Sequence, residues 1–181
     1  MKPISKQELL KQKEVLEKDI SYLESINKFA SDLLHANTIE DVLWLITSSI
    51  TSKFNFEDCV VYLKSDDHQH LEKVASHSAN ETAQRIIKYP MTVTMGQGIV
   101  GYVAKTGEPE LISDTREDAR YIADDLVRLS ELAVPIKLDN EVVGVIDSEH
   151  SNLGFYGESH LYSLIAIADL SAAKIKNLQI A

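Results

Sequence analysis

A single cysteine, Cys59, in 181 residues leaves this chain without a disulfide framework, a CxxC redox pair or the paired ligands of a zinc finger. Any thiol chemistry has to run on one sulfur. Positive charge is scarce too: 18 Lys and Arg stand against 28 Asp and Glu, a formal net charge of −10. Such a surface repels polyanions and lacks the basic footprint of nucleic-acid binding, so neither nucleic acid nor an anionic membrane is expected as a direct partner. No apolar run approaches the ~20 residues that span a bilayer. The opening Met1-Lys2-Pro3-Ile4-Ser5-Lys6-Gln7 leads into a charged helix rather than a signal-peptide core, and a cytoplasmic location is expected. Catalytic signatures are missing as well, with neither HExxH nor a Ser/His/Asp ordering. The HxH pair His68 and His70 sits with Asp66 and Asp67 in a hairpin tip and reads as a solvated turn, so no metal site is expected.

What is present is a globular composition, 44% hydrophobic and 25% charged, long enough for one domain plus an appendage. Over residues 5–35, Leu9, Leu16, Leu23 and Ala30 recur every seven positions, with Ile20, Ile26, Leu33 and Leu34 filling the same broad stripe. The spacing predicts a long amphipathic helix whose sparse early turns need a second helix, from this chain or another copy. Thr38, followed by Glu40 and Asp41, predicts the start of a helix running to about Lys53. Residues 59–63 and 71–76 read as a hairpin, 91–94 and 110–112 as short strands, and 132–138 with 141–148 as a second hairpin across Asp139-Asn140. A final helix opens at Gly157 or Ser159 and places Leu161, Leu164, Ile165, Ala168, Ala172, Ile175 and Leu178 on one face.

Between the hairpins stands MGQGIVGYVAKTG, with Gly96, Gly98 and Gly101 in the GxGxxG spacing of dinucleotide-binding turns. That fingerprint needs a long helix and parallel strands on either side. Here the helix has room only for residues 99–105 before Thr106-Gly107-Glu108-Pro109 stops it, and the flanking hairpins demand antiparallel pairing. The glycines therefore read as a tight turn that lets a short helix sit close against a sheet, and no cofactor is expected.

As an ordered set, GQGIVGYVAKTGEPELISDT, DARYIADD and SELAVPIKLDNEVVGVIDSEH resemble the consecutive blocks of a GAF domain, and FEDCVVYL resembles its first strand. The resemblance implies an α+β fold: a GAF-like central antiparallel sheet with helices packed on it and long N- and C-terminal helices. It divides the chain into an amphipathic dimerisation and signalling helix (1–36), the GAF domain (37–173) and the end of the last helix (174–181), leading toward an output domain. The flanking helices resemble the sensory segments upstream of bacterial histidine kinases, in which paired helices join sensor to effector and mediate dimerisation. A non-catalytic sensory module, binding a small molecule and acting as a homodimer through its terminal helices, is the function this implies. A free methionine sulfoxide reductase-like enzyme and a structural dimerisation module with an empty pocket are the alternatives.

Asp147 and Glu149 alternate on the last strand and share a face, and Glu131 opens its neighbour. The chain is similar here to the free methionine sulfoxide reductases, whose acids in the corresponding blocks hold the substrate's amino group. By that likeness Glu131, Asp147 and Glu149 line a pocket for a cationic or amino-bearing ligand; the alternative is a solvated sheet end or pairing with Arg116, Arg120 or Arg128. Tyr62, Tyr102 and Tyr121 either line the same cavity or pack in the core. Those reductases also need a cysteine near the position of Asp124, here part of the expected pocket lining, and a second in the glycine turn where this chain has Val100. Cys59 lies among Phe56, Val60 and Val61 and reads as a buried small hydrophobe, so no catalytic residue is expected. The Asn-Lys-Phe-Asp-Glu set of the cyclic-nucleotide-binding members is absent, as are a pocket cysteine for a bilin and an axial His for haem.

Overall fold

The computed structural model describes residues 4–78, 85, 87, 90–123 and 127–180. Two helices open the chain, and each starts at a reciprocal capping box. Before α1 (Lys6–Leu33), Ser5 Oγ accepts from the Glu8 amide at 3.2 Å while Glu8 Oε2 accepts from the Ser5 amide at 2.8 Å. Before α2 (Ile39–Lys53), Thr38 and Asp41 make the same exchange at 3.0 and 3.2 Å. Each box satisfies two amides that the helix itself leaves without partners.

Among the described residues six strands then form one antiparallel, curled sheet. β1 (Asp58–Lys64) and β2 (His70–Ser78) make the first hairpin, β3 (Thr92–Thr94) lies outside β2, and α3 (Gly98–Thr106) follows the glycine turn. β4 (Glu110–Ile112) and a 3₁₀ turn (Thr115–Glu117) lead to the hairpin of β5 (Ser130–Leu138) and β6 (Glu141–His150), after which α4 (Glu158–Ile180) ends the described chain. The sheet order is β3-β2-β1-β6-β5-β4, so β1 and β6 join the two hairpins in register, Val60 opposite Asp147 and Tyr62 opposite Val145. Asp139 and Asn140, at φ 50° and 69°, supply the two left-handed residues that a tight β5–β6 turn requires.

The period-two alternation sorts side chains onto two faces. Val61, Leu132, Val134, Ile136 and Ile146 meet α1, α2 and α4 in the main core, together with Cys59. On the other face Tyr62, Ala133 and Val145 meet Ile99, Val100 and Val103 of α3. That short helix sits close because Gly101 has no side chain: a Cβ there would lie 2.3 Å from the Thr94 carbonyl oxygen. Gly96 and Gly98 shape the turn at φ 84° and 68°, and Gly107 at φ 72° ends the helix.

The single broad stripe expected on the first helix divides in two. Tyr22, Phe29 and Leu33 are buried against this chain and Ile26 packs beside them, whereas Leu9, Leu16, Ile20 and Leu23 are each more than half exposed. The two sets lie about a third of a turn apart at 100° per residue, so one domain cannot cover both. The buried set is tied down by His160. Its Nδ1 accepts from the Gly157 amide at 3.1 Å, which puts the proton on Nε2, where it is donated to the Tyr22 hydroxyl at 2.6 Å. Ser159 Oγ donates to Asp19 Oδ1 at 3.0 Å beside it. Burial, then the nearby charges of Lys18 and His150, holds His160 down to about 4.

Replacing Gly101 by Ala is expected to cost about 3 kcal/mol in urea denaturation, because backbone cannot give way as a side chain does. Gly154→Ala, whose Cβ meets nothing within 4 Å, is expected to cost only about 1 kcal/mol, the strain of its left-handed φ. His160 favours the neutral form in the fold, so its contribution is complete above its unfolded pKa of about 6.5 and is lost as pH falls toward 4. His160→Ala is expected to destabilise by about 2 kcal/mol at neutral pH and to flatten the acid limb of the stability profile measured by urea titration.

Candidate functional site

The site lies on the α3 face, at the end of the sheet where β5 begins and β6 ends. Antiparallel register sets Glu131 directly opposite Glu149 and Ala133 opposite Asp147. Alternation then brings all three carboxylates to the face that carries Tyr62. They are buried, at 4%, 6% and 8% exposure for Glu131, Asp147 and Glu149. Carboxylates this close in low dielectric cannot all stay ionised. Burial, then the charge of Glu149, pushes Glu131 up to about 8, while burial and the charges of Glu131 and Glu149 hold Asp147 well above the usual carboxylate range. Asp147 and Glu131 share a hydrogen-bonding contact. Yet Asp147 Oδ1 is buried with no hydrogen-bond partner among the described residues. A buried acceptor left this way costs free energy that a donor from outside would recover.

The three arginines that offered an alternative pair with other carboxylates. Arg116 pairs with Asp114 at 2.7 Å, Arg120 with Asp118 at 2.7 Å and Glu110 at 3.0 Å, and Arg128 with Glu57 at 2.6 Å and, at 3.8 Å, with Asp58 beside the cluster. Tyr121 joins the acids: its hydroxyl engages Glu149 and accepts from the Arg128 amide at 3.0 Å, and burial pushes its phenol up. Tyr62 is buried on the same face, its hydroxyl 3.7 Å from Met91 Sδ. Tyr102 is spent differently, its ring covered by the Arg120 guanidinium at 4.5 Å. Asp124 lies outside the described residues.

Two participants escaped the sequence reading. Asp58 Oδ1 accepts from the Glu149 amide at 2.8 Å and extends the β1–β6 ladder by a side chain; stepping back by twos from Tyr62 through Val60 reaches it. Glu57 clamps the end of the sheet, accepting from Arg128 and from the Ser151 amide at 3.0 Å. No local signal announces that clamp, because its partners are 71 and 94 residues away. Cys59 is fully buried in the main core, on the opposite face of the sheet from the three acids, and burial pushes its thiol up. Val100 is buried in α3. Among the described residues no group of His, Cys, Asp and Glu has the arrangement to hold a metal ion, and no helix is long and apolar enough to cross a membrane.

Comparison with known proteins agrees with this fold. The GAF domain of a phosphoenolpyruvate-protein phosphotransferase from Coxiella burnetii superposes with a TM-score of 0.79 at 17% identity, over 90% of this chain and 96% of that one. The free methionine-R-sulfoxide reductase of Neisseria meningitidis, solved with its substrate, superposes at 0.78 and 17% identity, over 88% and 90%. Among curated proteins, YtsP of Bacillus subtilis (strain 168) is 34% identical over 55 residues, 30% of this chain; the match spans about a third (34%) of YtsP. The family model described as GAF domain matches residues 36–176. The chain therefore belongs to the GAF domain family.

Proposed function

We propose that this GAF domain is a non-catalytic sensory module that binds a small amino-bearing molecule against Glu131, Asp147 and Glu149. It acts as a homodimer through its terminal helices. The observation that carries the reading is the buried, unpartnered Asp147 Oδ1 within a proton-holding carboxylate cluster. An ammonium group supplies N–H donors and positive charge together, which is what such a cluster lacks. The Neisseria reductase, solved with its substrate, supports a small-molecule ligand on this fold, and the resemblance of SELAVP and VIDSEH to that branch of the family implies an amino group on it. The thiol chemistry does not carry over. This chain's only sulfur nucleophile is Cys59, on the other face of the sheet.

The helices are placed to feel the site. Ser148, between Asp147 and Glu149, points to the opposite face and hydrogen-bonds the Tyr156 hydroxyl at 2.8 Å, while His150 stacks on Phe155 at 3.6 Å. Phe155 and Tyr156 pack on His160, which holds Tyr22 of α1. A ligand that shifts β6 thus biases the α1–α4 junction, provided its affinity differs between the two arrangements. In this reading residues 1–36 are the dimerisation and signalling helix, 37–173 the sensor and 174–181 the end of the helix that carries the output.

Native mass spectrometry of the protein purified from cells is expected to show a dimer carrying an amine-bearing small molecule, with Asp147→Asn weakening its retention at least about 10-fold. Dimers free of any small molecule in both proteins would point to an empty pocket. Methionine sulfoxide supplied with a thiol reductant is expected to go unreduced; turnover that disappears in Cys59→Ser would overturn the non-catalytic reading.

A pH series separates the acids from the rest. An ammonium binds the ionised cluster, so its affinity in calorimetry is expected to rise as pH climbs through about 8, with protons released on binding. The stability of the free protein is expected to follow the opposite trend. The folded pKa of Glu131 exceeds its unfolded value, so its stabilising effect is complete below about 4.5 and is lost as pH rises toward about 8, and Glu131→Gln is expected to reduce that slope, Asp147 keeping a share of the same sign.

A further inference from the structure

The first helix carries a second apolar face that this chain never uses. Every residue from Ile4 to Lys18 is exposed, and Leu9, Leu16, Ile20, Leu23 and Leu34 each remain more than half exposed. At 100° per residue these five fall within about 60° of one another, a narrow seam rather than a broad face. Leu9, Leu16 and Leu23 are seven residues apart, and Ile20 and Leu34 occupy the alternate heptad position. Exposed Asn27 lies at the centre of the seam, in that same alternate position between Ile20 and Leu34.

Resting on the homodimer reading above, we propose that α1 pairs with α1 of a second copy as a parallel, in-register two-stranded coiled coil, with Asn27 facing Asn27. A second copy is the occupant because the seam is complementary to itself. In register, each leucine or isoleucine meets its own counterpart and the two carboxamides hydrogen-bond across the axis. A full-length antiparallel overlap sets Asn27 against Leu16, and a slip of one heptad sets it against Ile20 or Leu34, leaving a carboxamide unpaired in an apolar layer each time. The area suffices. Ten leucine and isoleucine side chains at about 100 Å² each bury about 1,000 Å² across the pair, the size a specific interface needs. The seam runs from the free turns past the body of the domain to Leu34, on the same helix that Tyr22 and His160 fix to α4 about a third of a turn away.

Cysteine placement tests orientation separately from association. Native Cys59 is fully buried and does not compete, and Leu16 and Asn27 are exposed in the single chain, so their variants leave the fold intact. Under mild oxidation Leu16→Cys is expected to form a disulfide-linked dimer with itself. A mixture of Leu16→Cys and Asn27→Cys is expected to give no crossed species. Crossed linkage without self-linkage would overturn the parallel register while leaving the dimer standing. A monomer in sedimentation equilibrium of the unaltered chain would overturn both this proposal and the homodimer reading. Leu16→Asp is expected to weaken dimerisation at least about 100-fold with an unchanged circular dichroism spectrum; an unchanged dimer would show that the seam is not the interface.

Discussion

The antiparallel pairing of β1 with β6 is the contact on which the rest of this structure depends. It joins two hairpins that each form locally, and it does so between residues far apart in the chain, Val60 with Asp147 and Leu63 with Gly144. Such long-range pairing carries the largest loop-closure cost within the sheet. Two exchanges reinforce it at the site end, Asp58 Oδ1 with the Glu149 amide and Ser148 Oγ with the Asp58 carbonyl at 2.6 Å. Register here decides which residues of β6 face which layer, since a slip of one residue would turn every side chain over.

From that register follows a division of labour between the two faces. The α3 face is narrow, closed by a helix that only glycine at 101 allows to approach, and it holds polar groups that the fold alone does not satisfy. The opposite face is a core of aliphatic and aromatic side chains under α1, α2 and α4. Neighbouring residues of one strand therefore serve different ends. Asp147 and Glu149 carry titratable charge into the site, while Ser148 and His150 touch the aromatic cluster that holds the helices.

The same alternation explains what could be read in advance. Period two in VGVIDSEH put Asp147 and Glu149 together without any knowledge of the sheet, heptad spacing marked the first helix, and the Thr38 cap with its acidic first turn marked the start of the second. The glycine motif became informative once its helix was seen to be short and its neighbours antiparallel. Asp58 was legible in principle by stepping along β1. The Glu57 clamp was not, because Arg128 and Ser151 reach it from other parts of the chain. Tyr102, equivalent to Tyr62 and Tyr121 on paper, is covered by Arg120.

By itself the sequence determined the elements, their order, the antiparallel character of the hairpins and the sharing of a face by the acids, because these follow from local periodicity, caps and turns. Only the tertiary structure decided that Glu131 stands opposite Glu149, that Cys59 faces away from them and that the apolar stripe of the first helix splits into a buried and an exposed face. Those outcomes depend on which distant strand or helix arrives as a neighbour. Burial and pairing are properties of the packed chain, and no local pattern contains them.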